Sequence, residues 1–353
     1  IKFENTETGV KGVIPYSIKK RELKITARNQ TFTYNGQIQG PGDMVYEEKK
    51  EIEELFDIGG DGLADTHSIS SITLDGQGNE AETHEKVLIP SNAVIVNIDG
   101  DVVTTNYEIE YIPGDLIISP IPVTLTANSG TTVTYDGTEK TVSGYTCSVE
   151  GLTFDGVTAG VSATKAGTYE VTFSGVKVNE TKDSTGHYMV SKTENGTLTI
   201  NRKPLTITAD SASAECDGTI LIKNSYKCSE LAAGDTIKSI TITGKQDGPG
   251  SSDNVPSAAK IVNVDGEDVT DCYDITYVNG KLIVSEHSFD QEVADTKYLK
   301  SEAGCIHAAV YYESCKCGEK GTETFESGEP LGHDYKAVEG TAVAPTCEKP
   351  GKE

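Results

Sequence analysis

Tryptophan is absent from this 353-residue chain, methionine occurs only twice, and 30 lysines and arginines face 55 aspartates and glutamates. Each shortage excludes something. Without indole rings the chain lacks the large aromatic faces that sugar platforms favour. A formal charge of −25 leaves no basic face to neutralise phosphates, which argues against nucleic-acid partners. The same acidity keeps a surface soluble and can gather divalent cations. No run approaches the roughly 18 apolar residues of a membrane-spanning helix. There is no phosphate-cradling glycine loop, no Gly-x-Ser-x-Gly elbow and no His-Glu-x-x-His pair, so no catalytic signature stands out. Asp57, Asp61 and Asp65 invite a calcium reading, but they break the alternating ligand order of an EF-hand loop and read as a solvated acidic loop. The chain opens on Ile1 without a signal-peptide pattern. Gly12 to Lys19 reads as the close of a preceding repeat and Lys352-Glu353 as an abrupt stop, so a piece of a longer protein is expected.

What is present repeats. Leu23-Lys24-Ile25-Thr26-Ala27, Val123-Thr124-Leu125-Thr126-Ala127 and Leu205-Thr206-Ile207-Thr208-Ala209 alternate apolar and polar residues, the period of a half-buried strand. Each is followed, 11 or 12 residues from its start, by Tyr34-Asn35-Gly36, Tyr135-Asp136-Gly137 or Cys216-Asp217-Gly218. Each block closes on a tyrosine-led pair of strands, Tyr107 to Leu116, Tyr188 to Leu198 and Tyr273 to Leu282, read as hairpins around Pro113-Gly114, Asn195-Gly196 and Asn279-Gly280. Tyr107, Ile109 and Tyr111 share a strand face, as do Tyr273, Ile275 and Tyr277; exposed sugar-stacking rings are one reading, and their apolar company favours the other, core residues. Blocks one and three also agree in their middles: Leu63 with Leu231, Thr73 with Thr241, Pro90-Ser91 with Pro256-Ser257, Asn97 with Asn263. Block two departs there, with Ala166 to Phe173 in place of that pattern. Block one carries an insertion from Met44 to Phe56 whose spacing supports one short helix. Glycine, threonine and valine with 36% hydrophobic residues suit several small β cores rather than disorder.

These openings, Tyr-Asp-Gly signatures and Asn-Gly-x-Leu-x-Ile closings resemble the MBG/YDG-type repeats of Gram-positive (Firmicutes) cell-surface proteins, over roughly residues 20 to 285. The resemblance implies stalks or adhesive arrays and brings no catalytic residues. Cys216 departs from it, standing where the pattern has tyrosine.

After Ser285 the texture changes. Cys305-Ile306-His307, Cys315-Lys316-Cys317-Gly318 and Gly332-His333 resemble short Cys/His-bearing repeats found near the ends of such surface proteins, although the middle pair is one residue shorter than theirs. His287 with Phe289 and His333 with Tyr335 look equivalent, and Cys347 looks like the start of a second copy. Three thiolates and an imidazole from Cys305, Cys315, Cys317 and His333 suit a structural zinc, with His287 or His307 as substitutes for His333. A disulfide of Cys305 with Cys315 or Cys317, or free thiols, are the alternatives. Cys147, Cys216, Cys228 and Cys272 read mostly as small buried apolar residues.

The expected architecture is mainly β: a tandem array of three small β-sandwich or β-grasp-like repeat domains and a small Cys-rich tail. Residues 1–20 end a preceding repeat or linker, 21–119, 120–202 and 203–285 are the three repeats, and 286–353 the tail. Short proline-bearing junctions, Pro120 to Pro122 and Pro204, suggest a semi-rigid monomeric rod, reaching about 90 Å if units of about 30 Å stand in line. The expected role is non-catalytic: an extracellular, cell-surface or wall-attached stalk or adhesin segment, with a surface glycan or protein of a host or neighbouring cell as partner. The alternative is a carbohydrate-binding accessory region of a secreted glycoside hydrolase.

Overall fold

The computed structural model describes residues 2–13, 17–334 and 336; Tyr335 and Cys347 lie outside them. The fold is mainly β, in many small sheets. Contacts divide it into two compact units, one of Ile1–Gly130, Thr141–Ser162 and Tyr169–Leu198, the other of Thr131–Lys140, Ala163–Thr168 and Thr199–Glu353. The first holds the first repeat and most of the second; the other holds the third repeat and the tail, with residues 131–140, 163–168 and 199–202 of the second.

The alternating openings become strands Arg21–Ala27, Ile121–Ala127 and Lys203–Ala209. Leu23, Ile25 and Ala27 turn inward and are buried, as are Val123, Leu125 and Ala127, and Leu205, Ile207 and Ala209, because successive side chains on a strand face opposite ways. Each opening strand is the centre of a three-stranded sheet and pairs in parallel with the tyrosine-led strand that closes its repeat: Arg21↔Tyr107, Ile121↔Tyr188, Lys203↔Tyr273.

The closing segments are not hairpins. Tyr107–Ile112 stays beside the opening strand, whereas Gly114–Ser119 crosses to a second sheet, between Gln30–Thr33 and Thr83–Val96. In the third repeat Tyr273–Val278 and Gly280–Val284 part in the same way. The reason is steric. A Cβ on Gly114 would stand 2.4 Å from the Ala27 carbonyl oxygen, and one on Gly196 would stand 2.1 Å from that of Asn128. These glycines let the chain pass over the end of the opening strand, so the dipeptides mark a crossing of backbones rather than a two-residue turn.

In the first repeat both sheets bury their inner faces in one core, where Leu23, Ile25 and Tyr107 meet Ile72, Leu74, Leu88 and Ile95, a sandwich-type packing. The insertion forms strand Met44–Tyr46 and helix Lys49–Leu55, whose Ile52 is buried in the same core. Blocks one and three agree down to their bulges. Thr73 pairs with Ser91 and Thr241 with Ser257, and the long strands Thr83–Val96 and Gly250–Val262 turn through positive φ at Asn92 (52°) and Ala258 (51°). The amide freed after each bulge, of Ala93 and Ala259, donates to the hydroxyl of Tyr111 or Tyr277 at 2.9 and 2.8 Å. Tyr107 and Tyr273 are buried, as their face predicted; Tyr111 is half-buried and Tyr277 just exposed.

A single residue, Pro120 or Arg202, separates the last strand of one repeat from the first of the next. The tail carries a three-stranded antiparallel sheet of Leu299–Ser301, Ala309–Ser314 and Lys320–Ser327. The stretch read as an acidic loop begins as strand Phe56–Gly60, paired antiparallel with the opening strand, and its groups hold protein partners rather than an open ligand ring. Asp57 accepts from the Arg28 guanidinium at 2.6 and 2.9 Å, which holds its carboxyl below the usual range, and the Arg21 guanidinium donates to the carbonyls of Asp61 and Gly62.

Candidate metal centre

The three-residue signature that recurs after each opening strand works as a turn with a docking residue. Its second position caps the turn. Asn35 Oδ1 accepts from the Gln37 amide at 2.9 Å, Asp136 Oδ1 from Thr138 at 2.9 Å and Asp217 Oδ1 from Thr219 at 2.8 Å. At Asp136, bonds from Lys140 and from Thr138 also hold the carboxyl far below the usual carboxylate range. The third position, Gly36, Gly137 or Gly218, has φ of 75°, 83° or 82°, the left-handed region that glycine enters without a Cβ penalty.

The first position reaches onto a later segment of the chain. In the first unit Tyr34 stacks on His187, ring centroids 4.0 Å apart, and His187 Nε2 lies 2.8 Å from the Glu80 carboxylate. In the second unit Tyr135 meets Tyr273 edge to face at 5.5 Å, and both hydroxyls donate to Asp235 Oδ2, at 2.9 and 2.7 Å. The Tyr273 hydroxyl also accepts from the Ala232 amide. Burial first, then the bond to Asp235, pushes both phenols well above their ordinary range.

At the third signature the docking residue is Cys216, and what it meets is the tail. The thiol is buried, and His287 Nδ1 lies 3.5 Å from its Sγ. The same nitrogen is 3.4 Å from Cys315 Sγ and 3.2 Å from Cys317 Sγ. Donor atoms of Cys216, His287 and Cys317 all lie within 4.8 Å of one another, a group able to hold a metal ion. Cys315 and Cys317 are joined as a disulfide. The Lys316 ammonium between them pairs with Glu215 at 2.8 Å, and the Gly218 turn packs on Cys317, so the two Cys-bearing segments lie against each other.

Of the residues singled out in the sequence, the structure brings Cys315 and Cys317 together. Cys305 is exposed and unbridged, and His333 is exposed; neither joins the group. His307, a substitute in the sequence reading, places its Nδ1 near the Ala308 carbonyl instead. His287, the other substitute, is the imidazole in place. The member of this group that sequence reasoning passed over is Cys216. Its signal was present as the departure from tyrosine in the repeat adjoining the Cys/His tail, but the docking role of that position shows only in three dimensions.

No protein-family model matches the chain, and no curated protein is significantly similar to it.

Proposed function

We propose that this chain is a non-catalytic stalk or adhesin segment of a bacterial surface protein, of the MBG/YDG-like type its motifs resemble, holding a binding partner at a distance from a Gram-positive wall. One observation carries the reading: in all three repeats the first strand pairs in parallel with the tyrosine-led strand near the end. Arg21 to Thr26 align with Tyr107 to Ile112, and Lys203 to Thr208 with Tyr273 to Val278. Tension applied to the two ends of the first repeat enters through the opening strand and through Gly114–Ser119, which pairs in parallel with Gln30–Thr33, so that parallel pair and then the opening strand with Tyr107–Ile112 are loaded in shear. Their hydrogen bonds then resist together instead of opening one at a time. The junctions of one residue add almost no slack.

The reading is tested by pulling single molecules from the two ends of the chain. Discrete unfolding steps at high force are expected, slow under load because forced unfolding follows the unfolding barrier. Featureless extension at low force would sink the stalk role. Antibodies to the chain should label intact producing cells; labelling only after permeabilisation would remove the surface assignment. The sugar-binding alternative gains no support from Tyr107 and Tyr273, whose rings are buried.

A further inference from the structure

We propose that Cys216, Cys315 and Cys317, as thiolates, and His287 Nδ1 bind one zinc ion, and that this clasp replaces in the third repeat the aromatic docking made by Tyr34 and Tyr135. Hydrogen bonding does not account for the surroundings of His287 Nδ1. One imidazole nitrogen offers either one proton or one lone pair, yet three sulfurs crowd His287 Nδ1 at 3.2, 3.4 and 3.5 Å. A tetrahedral ion with Zn–S of about 2.3 Å and Zn–N of about 2.0–2.1 Å sets its sulfur–nitrogen edges at about 3.6 Å. The observed sulfur–nitrogen spacings are close to those edges, while the Cys315 and Cys317 sulfurs, bonded to each other here, must part on reduction to the sulfur–sulfur edge of about 3.8 Å. Three sulfurs and one nitrogen are also a donor set that structural zinc takes and that calcium or magnesium, which want oxygen, do not.

The location gives the site its purpose. Cys216 belongs to the signature turn of the third repeat, whereas His287, Cys315 and Cys317 belong to the tail, so an ion here ties two segments some 70 to 100 residues apart in sequence. A small tail gains stability it cannot draw from its own core. Tyrosine at this position docks through ring area; cysteine has little area to offer, and a metal restores the attachment.

The Cys315–Cys317 disulfide is reduced to two thiols by two electrons and two protons from a dithiol, which becomes a disulfide, or by two electrons from a phosphine with water, which supplies the two protons and the oxygen of the phosphine oxide. Zinc then displaces one proton from each of three thiols and accepts the lone pair of neutral Nδ1, leaving the centre with one net negative charge.

The test uses the full chain, reduced, stripped with a chelator and titrated with Zn²⁺ or Co²⁺. One ion per chain is expected, and cobalt should show thiolate charge-transfer absorption with the intense visible bands of tetrahedral coordination. Cys216→Ser and His287→Gln should each weaken binding by more than the roughly 10–100-fold that losing an outer-shell partner costs. Cys305→Ser and His333→Ala should bind as the parent does. Zinc should shield Cys216, Cys315 and Cys317 from alkylation while Cys305 reacts. Cys216→Tyr, which installs the docking residue of the other repeats, should fold and still lose the metal; it serves if the serine variant does not fold. No uptake by the reduced parent, unchanged affinity in both Cys216 variants, or protection of Cys305 in place of Cys216 would each overturn the proposal.

Discussion

Gly280→Ala is expected to cost the third repeat about 3 kcal/mol, the upper end for forcing extra atoms into a packed site. The added Cβ would stand 2.5 Å from the Asp210 carbonyl oxygen and 2.6 Å from that of Ala209. Both obstacles are backbone, at the end of the opening strand whose Leu205 and Ile207 fill the core, so neither can swing aside. The φ of Gly280 is not positive, and the penalty is therefore collision rather than backbone strain. Gly248→Ala is the control. Its φ is +77° but nothing lies within 4 Å, and the cost should be the left-handed penalty of about 1–2 kcal/mol. Urea unfolding of the three proteins decides the matter: equal losses at the two sites would show that the crossing tolerates a side chain.

Removing the shared acceptor of the tyrosine pair should be comparably severe. Asp235→Leu leaves the buried hydroxyls of Tyr135 and Tyr273 without the oxygen that takes both protons, and a loss of about 3 kcal/mol is expected for two bonds to a charged group. The same pair makes stability alkali-sensitive. Each phenol is held above its ordinary value of about 10, so the folded state keeps protons that the unfolded chain has begun to release. The stabilisation is complete below about pH 10 and drains away as pH rises toward the folded values, by about 1.4 kcal/mol per pH unit for each phenol. Stability from urea melts between about pH 8 and about pH 11 should fall steeply in the parent and more gently in a Tyr135→Phe, Tyr273→Phe variant. An identical alkaline slope in that variant would remove these two groups as the cause.

Much of the β architecture was legible because strands declare themselves locally. Alternation put Leu23 and Ile25, Val123 and Leu125, and Leu205 and Ile207 inside, and the matched middles of blocks one and three proved to be matched registers, with Pro90 opposite Leu74 and Pro256 opposite Ile242. The short helix fell within the insertion that suggested it. Asn279-Gly280 misled because a hairpin turn and a close backbone crossing ask for the same residue. The sequence holds no mark to tell freedom of φ from lack of a Cβ.

By itself the sequence determined which residues of the opening strands face inward and that the tail is a different kind of segment, since both follow from neighbours a few positions apart. Which strands pair in parallel, and that Cys216 rather than Cys305 stands with Cys315, Cys317 and His287, was decided only by the tertiary structure. Those groupings join residues separated by tens of positions, and the relevant constraint is the packing of one segment on another.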